Sequence, residues 1–324
     1  MLVSVLLFAV GLVLLIKGGD WFVDGATGIA KRFNLPDIVV GATVVSIGTT
    51  LPEVMVSTTG ALAGSGAMAY GNAIGSIICN TALIAAISIT CNPGPVNVKS
   101  MKTPAIFFFM SAALYCLAAY GLGTFPRWMG FVMLTIFVIY MVLTVRNGLQ
   151  NPDSSEEEEE GEQKERKLWQ ELLLLVIGAA VIAVGADLLV DHGQIIAIGL
   201  GVPETVVALL FVALGTSLPE LVTTITSLKK GRASLGVGNV IGANVFNLVL
   251  VSGVAVSLAP FDVPVENELL NTGLNLSLVF DIPVMLAVMS LMIFPALATK
   301  KLGRWQGIAL LCIYAAFCVC QFTL

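Results

Sequence analysis

Two short segments carry hydroxyl, glycine, proline and acid in the same order: Ser46-Ile47-Gly48-Thr49-Thr50-Leu51-Pro52-Glu53 and Ala213-Leu214-Gly215-Thr216-Ser217-Leu218-Pro219-Glu220. Each falls near the middle of an apolar stretch. Proline removes one backbone donor and crowds the turn before it, so carbonyls about four residues upstream lose their partners. Gly48 and Gly215 relax the chain at the same point. Freed carbonyls and hydroxyls then stand one turn from a carboxylate, which makes an all-oxygen environment. A carboxylate at mid-bilayer costs at least about 2.5–3.5 kcal/mol, and two at equivalent positions call for a cation between them. Calcium takes about six to eight oxygens from carboxylates, carbonyls, amides and water. Two glutamates neutralise one Ca2+. No histidine or cysteine accompanies them, which argues against zinc or copper. The competing reading, in which each Glu caps a broken helix or pairs with a lysine, fails on numbers: Lys17 is the only base within a span and cannot serve two symmetric acids.

A second pair of segments is Gly71-Asn72-Ala73-Ile74-Gly75-Ser76-Ile77-Ile78-Cys79-Asn80 and Gly238-Asn239-Val240-Ile241-Gly242-Ala243-Asn244-Val245-Phe246-Asn247. Glycines four apart share a helix face and permit close packing, and alone these segments read equally well as small-residue contacts. Ser76 and Asn80 share a face, as do Ala243 and Asn247, and beside the Glu motifs they offer ligands to an ion. Asp20, Asp24, Asp187 and Asp191 read as interfacial or structural acids, with Lys17 one turn from Asp20 and two from Asp24 as their expected partner. Asp281 reads as a residue at a span start and His192, the only histidine, as lying near an outer surface.

These residues must be positioned by membrane-spanning helices. Hydrophobic residues make up 57% of the 324 and charged ones 11%, with a mean hydropathy of +0.95. Too little polar surface exists to cover a water-soluble globule. Ten spans are expected near 2–30, 36–62, 68–90, 104–121, 127–146, 169–196, 203–228, 235–259, 277–298 and 304–323. The apolar start lacks the basic region and cleavage site of a signal peptide, so it reads as a retained first span. The six cysteines read as small apolar side chains within helices. Residues 1–146 form a first five-helix unit, 147–168 a cytoplasmic acidic linker containing Glu156, Glu157, Glu158, Glu159 and Glu160, and 169–324 a second unit. That acidic run reads as a solvated linker.

Placing the N-terminus outside puts 14 of the 16 lysines and arginines in cytoplasmic loops, the exceptions being Arg127 and Lys17. The positive-inside rule therefore predicts both termini outside, in a cell inner or plasma membrane.

The chain repeats itself at a separation of 167 residues, without a gap from Gly11 to Asn80: Asp20 falls on Asp187, Asp24 on Asp191, Pro36 on Pro203, Glu53 on Glu220 and Asn80 on Asn247. Five spans separate equivalent points, so the halves cross the membrane in opposite directions. The basic loops agree. Lys31 and Arg32 align with uncharged Ile198 and Gly199, while Lys229, Lys230 and Arg232 align with Leu62, Ala63 and Ser65. Inverted repeats with corresponding midplane breaks predict a secondary transporter whose site lies at the repeat interface. The fold class is thus all-α: ten transmembrane helices in two inverted five-helix repeats.

The doubled GT(S/T)LPE and GNxIG(S/A) segments on inverted repeats resemble those of the cation/calcium antiporters, the sodium/calcium exchanger superfamily. They are most similar to a bacterial branch akin to the potassium-dependent exchangers. The resemblance spans essentially the whole chain. It implies that spans 2, 3, 7 and 8 form the site while spans 1 and 6 slide across them. It also implies that Glu53 and Glu220 are the ion-binding acids, and that Thr49 and Thr216 contact ions through carbonyl and hydroxyl. Thr50, Ser217, Ser76, Asn80 and Asn247 then match polar ligands, and Ser46 and Ala213 match backbone-carbonyl contributors. Three features depart from the family. Some members carry Asp where Asn247 stands or Ser where Ala243 stands, and Ile77 replaces an amide that Asn244 retains in the other repeat. They bear on sodium stoichiometry and on any K+ requirement.

The expected activity is alternating-access exchange of Ca2+ against Na+, in the direction of Ca2+ efflux. Ca2+/H+ antiport is the alternative, with each Glu protonated on the return step. A cation channel would not require the antiparallel repeat. An intramembrane enzyme finds only Lys17-Gly18-Gly19-Asp20, in which lysine replaces the first glycine of an aspartyl-protease motif. No cofactor is expected. The expected partners are Ca2+, Na+ and the lipid bilayer, with no nucleic acid and no obligate protein partner.

Overall fold

A computed structural model describes residues 2–150, 166–200, 215–264, 275 and 277–323. Within a bilayer every backbone N–H and C=O must be satisfied inside the protein, which forces apolar runs of this length into helices. Among the described residues nine helices are long and apolar enough to span. They are α1 (Leu2–Phe33), α2 (Asp37–Leu62), α3 (Gly66–Cys91), α4 (Val98–Leu122), α5 (Arg127–Gln150), α6 (Leu168–Gly199), α8 (Ala233–Leu258), α9 (Ser277–Thr299) and α10 (Arg304–Thr323). Between α6 and α8, α7 is described over Leu218–Lys229. Pro203 and Ala213 lie outside the described residues.

Helix α4 begins about two turns before its apolar stretch. The Asn97 side chain accepts from the N–H of Lys99 and of Ser100, at 3.1 and 3.3 Å, and this cap carries the helix through a polar first turn that hydropathy misses. Helix α1 is joined to α2 by residues 34–36 alone, and Asn34 takes a left-handed φ of 51°, a conformation asparagine tolerates better than most.

The repeat is visible in the packing. α1 and α6 run antiparallel with a reciprocal glycine contact: a Cβ on Gly11 would lie 2.9 Å from the Gly185 carbonyl, and one on Gly185 the same distance from the Gly11 carbonyl. Both sites demand hydrogen in place of a side chain. One turn-pair further, Gly18 meets the Gly178 carbonyl at 3.1 Å in the same sense. Two small antiparallel strand pairs stitch one repeat to the other. β1 (Gly94–Pro95) pairs with β4 (Lys301–Leu302), and β2 (Thr124–Phe125) with β3 (Phe261–Asp262). β1 and β3 are equivalent in the repeat, so the stitches are mates under its two-fold.

The main core draws on α2 to α5 and α8 to α10, with Ile77, Phe108, Tyr115, Phe246 and Met289 buried at its centre. A smaller core joins α1 to α2, α6, α7 and α8 through Leu15, Phe22, Val23, Val45, Ile182 and Leu235. The α1/α6 pair is set asymmetrically. Leu218 and Val222 of α7 pack into the smaller core, while their repeat equivalents on α2, Leu51 and Met55, are 50% and 68% exposed.

Candidate ion-binding site

The four helices α2, α3, α7 and α8 meet where the two motif pairs fall. α2 is not broken at its proline. It runs helically through Pro52 from Ser46 to Leu62, and its irregularity lies upstream, in a π-helical stretch over Gly41–Val45. The second repeat differs. Thr216 and Ser217 form a turn, and Pro219 then opens α7 from within its first turn, where a missing N–H costs nothing.

In α3 and α8 the ladder widens to π geometry at matching points, Asn80–Ala85 and Asn247–Val251. Such bulges concentrate at functional sites. Sequence periodicity did not indicate them, because one extra residue in a uniformly apolar helix leaves no hydropathy signature.

The side chains converge. The Glu53 and Glu220 carboxylates are fully buried and close enough to repel each other, and the Thr49 hydroxyl faces the Glu220 carboxylate across the repeat interface. Ser217 adjoins Cys79, the residue before Asn80. Ser46, Thr49, Thr50, Ser76, Asn80, Ser217 and Asn247 are all buried, and Thr216 is half-buried.

A symmetric set of these polar atoms has no hydrogen-bond partner. It comprises the hydroxyls of Thr50 and Ser217, both carboxylate oxygens of Glu53 and of Glu220, and both amide atoms of Asn80 and of Asn247. The residues form three repeat-equivalent pairs and present eight oxygens. Leaving one buried polar group unpaired typically costs about 1–3 kcal/mol, and the oxygens of this set make it the candidate place for a cation. Among the described residues no three His, Cys, Asp or Glu side chains gather into a metal site. The negative charge is confined to the two glutamates, and neutral oxygens must supply the rest.

Two residues do not make the contacts that the sequence suggested. Asn244 turns away from the site, donating to the Thr81 hydroxyl at 2.7 Å beside the Met289 sulfur. Lys17 is exposed on α1 and is not the partner of Asp20 and Asp24. That partner is Lys230, beyond the end of α7: its Nζ lies 2.7 Å from Asp24 Oδ1 and 3.6 Å from Asp20 Oδ1, and it donates to the Asp20 carbonyl at 2.9 Å. A pairing 206 residues apart has no local signature. Asp281 does stand at the start of a regular helix, where Gln321 and Ser277 donate to its carboxylate at 2.6 and 2.9 Å.

Fold and site together define an inverted-repeat secondary transporter with a cation site at the interface between halves. Residues 3–146 and 171–323 match the family model described as sodium/calcium exchanger protein, and the chain belongs to that family. It is 30% identical over 355 aligned residues to the sodium/calcium exchanger MaX1 of Methanosarcina acetivorans, covering 99% of both chains. It is 34% identical over 307 residues to an uncharacterized membrane protein of Methanocaldococcus jannaschii, covering 95% of this chain and 94% of that one. Solved structures of the sodium-calcium exchanger NCX_Mj superpose with a TM-score of 0.77 at 32% identity, over 97% of each chain.

Proposed function

We propose that the protein is a secondary antiporter that exchanges Ca2+ for Na+ by alternating access, with Glu53 and Glu220 as the charged ligands. The orphaned oxygens of Thr50, Ser217, Asn80 and Asn247 carry the reading: they suit a hard cation that takes about six to eight oxygens. Thr49 and Thr216 add hydroxyls, Ser76 a further polar contact, and Ser46 and Ala213 backbone carbonyls. One Ca2+ or two Na+ neutralise the two carboxylates, so the ions compete rather than share the site. A third Na+ would leave the loaded site positive and the exchange electrogenic.

Residues 1–146 and 169–324 act as the two halves and 147–168 as a cytoplasmic linker, in an inner or plasma membrane with both termini outside. In that orientation Lys230 and the covered Leu218 and Val222 face the cytoplasm, and the uncovered Leu51 and Met55 face outward. This supports an outward-open state, from which the α1/α6 pair would swing to cover α2 and uncover α7. The expected direction is Ca2+ efflux driven by the sodium gradient.

The test is Ca2+ uptake into proteoliposomes preloaded with Na+ and clamped with a proton ionophore, with Glu53→Gln and Glu220→Gln as controls. Uptake that needs internal Na+ and both acids supports the proposal, and added K+ then reads co-transport. Uptake that ignores Na+ and follows an imposed pH gradient replaces it with Ca2+/H+ exchange.

A further inference from the structure

Asn72 and Asn239 stand at equivalent places in α3 and α8, and each amide oxygen accepts from a threonine of the opposite repeat. Thr49 Oγ1 donates to Asn239 Oδ1 at 3.1 Å, and Thr216 Oγ1 to Asn72 Oδ1 at 3.4 Å. We infer that Asn72 and Asn239 are positioning residues of the ion site: they take the hydroxyl protons of Thr216 and Thr49, leaving those oxygens' lone pairs to the cation. The inference rests on the assignment of both threonines as ligands.

A hydroxyl has one proton and two lone pairs. To ligate a cation it must turn a lone pair inward, so its proton needs an acceptor elsewhere. The default acceptor for a helical threonine is the carbonyl four residues back. Thr43, Thr59, Thr90 and Thr223 all use it, donating to Val39, Met55, Ala86 and Pro219 at 2.7–2.8 Å. That arrangement ties the oxygen to its own backbone.

Thr49 and Thr216 break the pattern and reach across the repeat interface instead. Thr49 also has the Glu220 carboxylate within reach. Giving its proton to Asn239 keeps those carboxylate oxygens for the ion.

The Asn72 amide is not free to turn. Asn72 Nδ2 donates to the Ser57 hydroxyl at 2.8 Å and to the Glu53 carbonyl at 3.3 Å. Both its hydrogens are thus used on its own repeat, and Oδ1 must face Thr216. Asn239 packs against Ser46, whose hydroxyl lies 2.8 Å from the Gly41 carbonyl, 3.0 Å from the Asn239 carbonyl oxygen and 3.3 Å from Oδ1. The contact needs α8 close to α2, and Gly242 provides that: a Cβ there would come within 2.5 Å of Ala42 Cα.

Loss of a partner that orients a metal ligand typically weakens metal affinity about 10–100-fold. The test is a double-mutant cycle read by equilibrium Ca2+ binding to the full-length protein in detergent. Asn239→Leu keeps the size and removes the acceptor, and Thr49→Val removes the hydroxyl it orients. Each single change is expected to weaken Ca2+ binding about 10-fold or more, and the double variant to bind no worse than the weaker single. Thr49→Ser, which keeps a hydroxyl, should bind Ca2+ well and remain sensitive to Asn239→Leu.

Fully additive losses would overturn the inference, because Asn239 would then act on packing and not through Thr49. A silent Asn239→Leu would do the same with Thr49 still a ligand. A silent Thr49→Val would instead remove the ligand assignment on which the inference stands. Should Asn239→Leu not fold, judged by its ion-free melting temperature, Asn72→Leu with Thr216→Val measures the same coupling from the other half.

Discussion

Replacing Lys230 by alanine should loosen one side of the transporter selectively. The Lys230 Nζ joins the Asp24 carboxylate at 2.7 Å and the Asp20 carbonyl at 2.9 Å, so it fastens α1 to the end of α7. The Lys230 and Asp24 side chains retain 29% and 26% of their exposure, and solvent screens the pair. Exposed ion pairs are worth about 0.2–1 kcal/mol, and a hydrogen bond from a charged donor to a carbonyl somewhat more. A combined loss of about 1–2 kcal/mol shifts an equilibrium about 5–30-fold. The repeat equivalent of Lys230 is Ala63, so the opposite side has no such fastening to lose.

The assay is modification of Thr226→Cys by a membrane-impermeant thiol reagent, in a background without the six native cysteines. Thr226 is 8% exposed, and its hydroxyl would lie 2.9 Å from a Cβ on Gly19 of α1. Lys230→Ala should therefore speed its labelling from the proposed cytoplasmic side about 5–30-fold. The charge swap Lys230→Asp with Asp24→Lys should slow it again. An unchanged labelling rate in well-folded Lys230→Ala protein would refute the claim that this pair holds α1 closed.

Glu53→Gln and Glu220→Gln should each abolish Na+-dependent Ca2+ uptake yet raise the ion-free melting temperature by about 2–4 °C, because each replaces a buried, unpartnered carboxyl group by a neutral amide; scanning fluorimetry beside the uptake assay reads both. Ca2+ should stabilise the native protein by about 2.7 kcal/mol at a hundredfold excess over its dissociation constant. Excess Na+ should diminish that gain by competition, and Glu53→Gln should lose it, as followed by thermal melts across Ca2+ titrations. Gly185→Leu should cost more than about 2 kcal/mol, since its side chain would drive the α1 and α6 backbones apart at the Gly11 carbonyl; the yield of monodisperse protein and its melting temperature report this.

Much of the architecture was legible in the sequence because a bilayer leaves few options. Apolar runs of this length must be helices, and the 167-residue repeat fixed which residues would face one another across the two-fold. That symmetry pairs Glu53 with Glu220, Thr50 with Ser217 and Asn80 with Asn247, and the structure buries all six side chains with unpartnered polar atoms. What escaped was set by tertiary contact. Lys17 was the nearest base to Asp20 and Asp24 along the chain, but Lys230 reaches them from another helix. Asn244 lies within a motif whose other amides face the site, and its place on the helix turns it to Thr81. Asn72 and Asn239 read as part of a glycine packing motif because nothing local reveals that the hydroxyls donating to them, those of Thr216 and Thr49, belong to the opposite repeat. The expected rupture of α2 at Pro52 is also absent, as the chain takes up the distortion at Gly41–Val45 instead.

The three residues between α1 and α2 act as a tether. An extended chain covers at most about 3.3–3.6 Å per residue, so from Phe33 to Asp37 the link reaches no further than roughly 14 Å. That reach exceeds one helical turn, about 5.4 Å, and is shorter than three turns, about 16 Å. In the proposed cycle, the stroke of α1 therefore has a mechanical stop in the loop that joins it to α2. Because α1 and α6 are locked together at Gly11 and Gly185, the same stop limits the pair. Lengthening residues 34–36 with glycine would remove the stop without touching a single ion ligand, which separates the machine's travel from its chemistry.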